Sequence, residues 1–219
     1  MTWSETSDLL WTGLEETAWM VGFSTVLTAV GGMLLGVLLV LTARGGLLEA
    51  RPVNAVLGLI VNVARSLPFV ILLVAVIPVT RAIVGTTIGT TAAIVPLTIG
   101  AIPFFARIVE AAIREVTPDV VAAAVAMGAT RRQIVGKVLL REARPGLVAG
   151  LTITIVALVG YSALAGVVGG GGLGDLAIRY GYQRFETEVM IATVVVLVVF
   201  VQLIQSLGDL LVRRLSHTK

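Results

Sequence analysis

Long stretches of apolar, uncharged residues recur along the chain, and they restrict its fold more than any other feature. They lie at residues 19–41, 53–79, 82–106, 145–168 and 189–208, and Arg65 is the charged residue that interrupts the second stretch. A helix needs about 20 apolar residues to cross the hydrocarbon core of a bilayer. The sequence therefore predicts an all-α integral membrane protein with five transmembrane helices.

Composition supports one membrane domain over residues 1–219. Hydrophobic residues make up 57% of the chain and charged residues 13%, which is far more apolar than an ordinary soluble domain. The chain has no cysteine, so disulfides and a thiol nucleophile are excluded within it. Its net charge of +3 comes from basic residues beside the apolar stretches, a pattern that reflects membrane topology. We therefore expect contacts with lipid and none with nucleic acid.

The basic residues are distributed unequally between the two sides of the predicted bundle. Residues 1–18 contain four acidic residues and no basic one. Cytoplasmic loops of membrane proteins are enriched in Lys and Arg. One side holds most of the basic residues, namely Arg44, Arg51, Arg107, Arg114, Arg131, Arg132, Lys137, Arg141, Arg144, Arg213, Arg214 and Lys219. The other side holds Arg81, Arg179 and Arg184, so we predict an outside N-terminus, a cytoplasmic C-terminus and no cleavable signal peptide.

The longest basic loop, residues 107–144, contains two short helical patterns, and the first begins at Thr117. Thr117 is a good N-cap, Pro118 suits the first helical position and Asp119 suits the first turn. Gly128 can end this helix in a left-handed conformation. The pattern predicts a helix over 119–127. Its Val, Ala and Met side chains form an apolar surface in a cytoplasmic loop, and such a surface docks on a partner or packs on its own bundle.

A second helix follows a sharp turn in the same loop. Thr130 and Gln133 match a capping box at its start. The predicted helix has an apolar face opposite Arg132, Lys137 and Arg141, formed by Ile134, Val135, Val138 and Leu139. The loop is therefore expected to be two capped helices joined by a tight turn.

This loop resembles the cytoplasmic motif of ABC importer permeases, E-A-A-x3-G-x9-I-x-L-P. The motif aligns with Ala122, Ala123, Ala124, Gly128, Val138 and Leu140. Two positions depart from it, because Ala122 replaces the usual Glu and Arg141 replaces the usual Pro. The resemblance implies a coupling helix that docks in a groove of a cytoplasmic ATPase. The coupling residues implied here are Ala122, Ala123, Ala124, Ala126, Met127, Gly128, Ala129, Thr130 and Arg131. Without the Glu, docking is expected to rest on the apolar surface from Ala126 to Ala129.

The resemblance extends beyond this loop. Most of residues 65–182 resembles the methionine ABC importer permeases. The similar stretches are RSLPFVILL, IPVTRAIVGTTIG, AAIVPLTIGAIPFFARIVE, QIVGKVLL, LVGYSALAG and GGLGDLAIRYGY. This resemblance implies a type I ABC importer permease fold in the bacterial inner membrane. It also implies a homodimer, two cytoplasmic ATPase subunits that bind ATP and Mg²⁺, and an extracytoplasmic substrate-binding lipoprotein. The chain itself would then be neither an enzyme nor a cofactor protein.

The residue pattern alone does not identify the substrate, and it leaves other classes of membrane protein as alternatives. No residue identifies a thioether, so another small amino acid, a dipeptide or an osmolyte is an alternative substrate. A self-contained channel or an ion-coupled transporter is an alternative class, disfavoured because the predicted spans contain no acidic residue for ion coupling. A membrane enzyme is less favoured again, because the sole histidine, His217, lies in the polar tail and the carboxylates lack a paired inward geometry.

Two features near the predicted outer face are candidates for the pathway or a gate. A run of glycines, Gly169, Gly170, Gly171 and Gly172, follows the fourth span, and no Lys-Ser or Lys-Thr follows it as in a nucleotide-binding loop. The run is a flexible turn, or an outer gate or docking loop. Tyr161 and Ser162, with Thr152 and Thr154 below them, line a pathway or bond neighbouring helices.

Arg65 and the paired glycines each have two interpretations. Arg65, assigned to a cytoplasmic helix end, reaches lipid phosphate or helps to position the coupling loop. The G-x3-G pairs pack helices within the chain or form a dimer seam, and the first is favoured because such spacing is frequent in glycine-rich spans. These pairs are Gly32 with Gly36, Gly146 with Gly150, and Gly166 with Gly170.

Overall fold

Helices dominate residues 3–216, the part of the chain that the computed structural model describes. The α-helices are α1 (Trp3–Thr42), α2 (Arg51–Ser66), α3 (Phe69–Ala75), α4 (Ile77–Val84), α5 (Thr90–Arg114), α6 (Pro118–Ala126), α7 (Arg131–Gln133), α8 (Leu140–Glu142), α9 (Arg144–Val167), α10 (Gly172–Leu176) and α11 (Thr187–Leu215). Two π-helical segments lie at Ile134–Leu139 and Ala177–Tyr182. His217 and Lys219 lie outside the described residues.

The predicted five-span, all-α fold is confirmed. Four helices, α1, α5, α9 and α11, are long and apolar enough to cross a membrane, and α2 and α3, bent by 105°, are together long and apolar enough for a fifth, broken span. The third span begins later than predicted, at Thr90, because Gly85 and Gly89 both have positive φ and separate α4 from α5. It also continues past residue 106, to Arg114.

Helix α1 begins at Trp3, well before the predicted start of the first span at residue 19. Its 40 residues correspond to about 60 Å of helix, twice the thickness of the hydrocarbon core. The extra turns are held by tertiary packing, because Leu9, Leu10 and Leu14 pack against the buried cluster of Leu173, Leu176 and Val189. The acidic start of the chain is therefore part of the bundle.

The second span is broken by proline. Pro68 has no amide hydrogen and forces the preceding Leu67 into an extended conformation, with φ −79° and ψ 125°. Helix α2 therefore ends at Ser66, and α3 leaves at an angle of 105°. Sequence analysis attributed the interruption of this span to Arg65, whereas the backbone break lies three residues later.

Glycine pairs bring the central helix α5 close to its neighbours. A Cβ on Gly32 would lie 2.8 Å from Phe105 Cδ1, and one on Gly36 would lie 2.6 Å from the carbonyl oxygen of Ala106. A Cβ on Gly150 would collide with Ile108. All three predicted G-x3-G pairs thus pack within the chain, since the third, Gly166 with Gly170, meets the backbone of residues 165–175. The interpretation as intrachain packing is confirmed.

A polar network fixes the turn between α1 and α2. The side-chain amide of Asn54 donates to the carbonyl of Leu39 at 2.7 Å. The Glu49 carboxylate accepts from the Gly45 amide at 3.0 Å and from Arg51 Nε at 2.8 Å. These two bonds, the backbone one first, lower the pKa of the Glu49 carboxyl, because both favour its charged form. The turn is therefore held by a carboxylate that stays ionised at neutral pH.

Candidate functional site: the coupling loop and the membrane cavity

Helix α6 ends in the left-handed turn that the sequence predicts. Gly128 has φ +79°, its amide donates to the Val125 carbonyl at 2.9 Å, and the Ala129 amide donates to the Ala124 carbonyl at 3.0 Å. This pair of bonds is a Schellman motif. A Cβ at residue 128 would meet no atom within 4 Å. Glycine is therefore favoured there by backbone conformation and not by lack of space.

The second half of the loop starts as predicted and then departs from the prediction. The Thr130 amide donates to Gln133 Oε1 at 2.8 Å and the Gln133 amide donates to Thr130 Oγ1 at 3.4 Å, so the capping box is present. In place of a regular amphipathic helix, residues Ile134–Leu139 then form a π-helical segment. Ile134 is buried where this segment lies against α6. The wider turn changes which side chains of the segment point towards α6.

The exposed end of α6 carries large apolar side chains. Met127 is 81% exposed and Val125 is 56% exposed, beside the exposed Ala126 and Gly128. We call these four residues the α6 end surface. Ala122, Ala123, Thr130 and Arg131 are also exposed, Ala129 is half-buried and Ala124 is buried. Ala124 therefore faces the loop interior and is unavailable to a partner, while Val125, which sequence analysis omitted, is available.

A buried carboxylate close to the loop was missed by the sequence analysis. Glu110 on α5 is 5% exposed, and its two oxygens pair with Arg107 at 2.5 Å and Arg114 at 2.6 Å. Arg107 also donates to Asn62 Oδ1 at 2.8 Å and to the Gly58 carbonyl at 3.2 Å on α2. We call Glu110, Arg107 and Arg114 the charge cluster, and it ties α5 to α2.

This cluster corrects the expectation that the spans contain no buried acidic residue. The error arose because the third span was ended at residue 106, whereas α5 continues to Arg114. The i, i+3 and i, i+4 spacing of Arg107, Glu110 and Arg114 is the signal that would have found it. Both carboxylate oxygens pair with guanidinium groups of the same helix, and Arg107 links the cluster to α2.

Arg65 lies in the last turn of α2, about 21 Å of helix from Arg51, and so not at the end next to the first basic loop. It lines a cavity of about 260 Å³ together with Ala64, Leu67, Phe69, Leu72, Gly100, Phe104 and Tyr161. No lining residue belongs to the loop 107–144. The surroundings of Arg65 thus favour a role in the membrane cavity over the predicted support of the coupling loop.

Tyr161 and Ser162, the two pathway candidates, have different surroundings. The Tyr161 ring stacks on Phe69 with centroids 4.5 Å apart and faces the cavity that Arg65 lines. Ser162 is buried and donates to the Val159 carbonyl of its own helix at 2.8 Å. Thr152 and Thr154 likewise bond to their own helix, at 2.9 and 2.8 Å. Tyr161 is therefore the better candidate for contact with a solute.

The glycine run forms a packed turn between α9 and α10. Gly169, Gly171 and Gly172 have positive φ, and Gly170 and Gly172 are buried. The Gly172 amide donates to Glu16 Oε2 at 2.6 Å and the Leu173 amide to Thr17 Oγ1 at 2.9 Å. The predicted turn is confirmed, but it is anchored to α1 and is not an open loop. A gating role for it stays a prediction.

The charged residues that follow the glycine run form local pairs. Arg179 makes an ion pair with Asp175, and the Arg184 guanidinium lies 4.5 Å from the centre of the Tyr180 ring. These contacts order the segment that follows α10. They do not identify a partner.

Comparison with known families decides the class. Residues 32–217 match the model of the family described as binding-protein-dependent transport system inner membrane component. The chain belongs to this family. It is thus a multi-pass inner-membrane permease subunit of an ABC transporter. The alternatives of a self-contained channel, an ion-coupled transporter and a membrane enzyme are set aside by this membership.

Close relatives and solved structures agree with the family. The chain is 57% identical over 211 residues to a probable D-methionine transport system permease protein MetI of Vibrio cholerae, covering 96% of this chain and 94% of the relative. It is 43% identical over 202 residues to the methionine import system permease protein MetP of Bacillus subtilis, covering 92% and 91%. A chain of the inward-facing MetNI methionine ABC transporter superposes with a TM-score of 0.96 at 48% identity, covering 99% and 100%. An amino acid ABC transporter at 21% identity, TM-score 0.79, shares the fold.

Proposed function

We propose that this permease subunit imports methionine. The observation that carries the proposal is its 57% identity, over nearly the whole length of both chains, to a probable D-methionine permease. The shared fold of the MetNI methionine transporter adds support at 48% identity. Another small amino acid, a dipeptide or an osmolyte remains the alternative substrate class for the experiment to exclude.

We further propose the assembly in which it works. Two copies of the chain enclose the pathway, two cytoplasmic ATPases bind ATP and Mg²⁺, and an extracytoplasmic lipoprotein delivers the substrate. The exposed α6 end surface supports the ATPase contact, because Met127 and Val125 are otherwise left in water. The chain contributes no catalytic group and no cofactor to this cycle.

The coupling path follows the packing of the loop. The α6 end surface takes up the movement of the ATPase. Because α6 lies against Ile134–Leu139, which continues through α8 into α9, a displacement of α6 is passed to a transmembrane helix. A bundle with two arrangements then alternates access, and the packed glycine turn at the far end of α9 is placed to act as its outer gate.

Reconstitution in vesicles with the cognate ATPase and binding protein tests the proposed function. We expect uptake of labelled methionine that requires ATP on the ATPase side and is lost with an ATPase variant that binds but cannot hydrolyse ATP. Equal uptake without ATP would contradict an ATP-driven importer. ATP-driven uptake of another solute, with none of methionine, would contradict the substrate assignment.

The absence of cysteine makes the predicted orientation directly testable. Single variants Ser7→Cys on α1 and Ser216→Cys after α11 are labelled in intact cells with a membrane-impermeant maleimide. With an outside N-terminus, position 7 reacts in intact cells, and position 216 reacts after the membrane is opened. The cysteine-free parent is the control. The reverse pattern would invert the topology.

A further inference from the structure

Arg65 lies in the last turn of α2, inside the second span, and lacks the carboxylate partner that Arg107 and Arg114 have. Among the described residues 3–216, no ion pair or side-chain hydrogen bond involves its guanidinium, whereas Arg107 and Arg114 both pair with Glu110. A charge within a transmembrane region is costly, faces a cavity or the bundle interior, and marks substrate pathways. An unpaired guanidinium that lines a cavity is therefore placed to receive an anion.

The cavity lies near the middle of the bundle. Gly100, on its wall, is about 15 Å of helix from Thr90 and about 21 Å from Arg114, the two ends of α5. The break between α2 and α3 opens into the cavity through Leu67. Interrupted backbone is tolerated at this depth where it lines a cavity. The last carbonyls of a helix have no donor within the helix, and α2 ends beside this cavity at Ser66.

Two aromatic residues that line the cavity suit an apolar group. Phe69 and Tyr161 stack there with an interplanar angle of 11°. Aromatic rings make favourable contacts with thioether sulfur. The volume of about 260 Å³ lies below the range of about 300–1,000 Å³ found for sites of drug-sized ligands, so it suits one small solute.

We propose that this cavity is a transit site for a zwitterionic amino acid with an apolar side chain. Arg65 binds the carboxylate, the carbonyl groups at the end of α2 accept the ammonium, and Phe69 and Tyr161 contact the side chain. The proposal rests on the proposed import of methionine and adds a site within the membrane to it. Recognition then takes place in the permease as well as in the binding protein.

Two substitutions of Arg65 test the anchor in the reconstituted transporter. Arg65→Gln removes the charge, and we expect methionine uptake to fall at least about tenfold, because hydrogen bonds to charged groups are the strong ones. Arg65→Lys keeps the charge and should recover part of the uptake. ATP hydrolysis stimulated by the loaded binding protein should persist in both variants. This separates a lost substrate contact from a lost coupling contact.

A further variant fills the cavity without changing Arg65, and it has a matched control outside the cavity. A Cβ on Gly100 would lie 3.0 Å from Leu72 Cδ2 and 3.4 Å from Phe69 Cδ2, so Gly100→Val narrows the cavity. Gly22→Val on α1 is the matched control, since a Cβ there meets no atom within 4 Å. We expect uptake to fall at least about tenfold for Gly100→Val and to stay within about twofold for Gly22→Val.

Photolabelling gives a direct readout in the assembled transporter. The diazirine analogue of methionine, delivered by the binding protein under turnover, should label peptides that contain Phe69 or Tyr161. The label should be lost in Gly100→Val. Two results would overturn the transit site while leaving the proposed function intact, provided that the wild type takes up methionine. One is normal uptake by Arg65→Gln, and the other is labelling confined to other peptides. Absence of methionine uptake by the wild type would overturn both.

Discussion

Replacing Gly128 with valine is expected to uncouple ATP hydrolysis from transport while the chain remains inserted and assembled. Gly128 has φ +79°, a conformation that costs L-residues roughly 1–2 kcal/mol and is least accessible to β-branched ones. The strain is relieved by giving up the bonds from Gly128 to Val125 and from Ala129 to Ala124. Met127 and the rest of the α6 end surface then shift, and we expect methionine uptake per ATP hydrolysed to fall about tenfold or more.

Two controls separate backbone strain from added bulk. Gly128→Asn adds a side chain, but asparagine adopts the left-handed region more readily, so it should retain more transport than the valine variant. Gly136→Val adds the same bulk in the same loop, where a Cβ meets no atom within 4 Å and φ is not positive. Uptake and ATP hydrolysis are measured on matched amounts of assembled transporter. Full transport by Gly128→Val would show that the tight turn is dispensable.

Replacing Glu110 with glutamine should have the largest effect on stability. Removing one partner of a buried ion pair costs about 3–5 kcal/mol, because the remaining charge is left uncompensated. We expect the lower end of that range, because the Arg114 side chain is 57% exposed and is solvated by water once its partner is lost. The Arg107 side chain is 25% exposed, so its charge accounts for most of the remaining cost. Thermal unfolding in detergent, followed by loss of monodisperse protein, measures the change.

Glu115→Gln is the matched control for this prediction. Glu115 follows α5 directly and is exposed, and no ion pair among the described residues involves it, so its replacement should change the unfolding free energy by less than about 0.5 kcal/mol. The double variant Glu110→Gln with Arg107→Met tests the coupling between the two residues: its loss should be smaller than the sum of the two single losses, because their ion pair is counted in both. Equal destabilisation by Glu110→Gln and Glu115→Gln would show that the charge cluster is not a structural link.

Features that depend on neighbouring residues were predictable from the sequence. The turn at Gly128 and the capping box of Thr130 and Gln133 involve bonds within five residues, and the residue types that make them are specific. The family resemblance of the coupling loop rests on the same local spacing. The prediction of a regular helix failed within this loop at Ile134–Leu139, where the chain forms a π-helical segment that has no recognisable signal in the sequence.

Features that depend on distant residues were not predictable from local patterns. Glu16 accepts from the Gly172 amide across 156 positions of the chain, so the glycine run could not be recognised as an anchored turn. The sequence places Glu110 in a loop, whereas the structure places it in the last turns of α5, close to α2. Arg65 was assigned to a cytoplasmic helix end, whereas it lies in the last turn of α2 and lines a cavity whose other lining residues come from α3, α5 and α9 as well.

The sequence by itself determined the apolar spans, the unequal distribution of charge, the turn at Gly128, the capping box at Thr130 and the family of this permease. The predicted N-cap Thr117 does precede α6, but its side chain makes no capping hydrogen bond. Hydropathy, caps and motif spacing depend on residues within about one span of each other, so they can be recognised without the tertiary structure. Only the tertiary structure decided which of the charged and aromatic residues meet. It paired Glu110 with two arginines, left Arg65 alone beside Phe69 and Tyr161, and turned Ala124 inwards while Met127 stayed exposed. Burial and partners arise from contacts between distant segments, and these contacts form only when the helices pack.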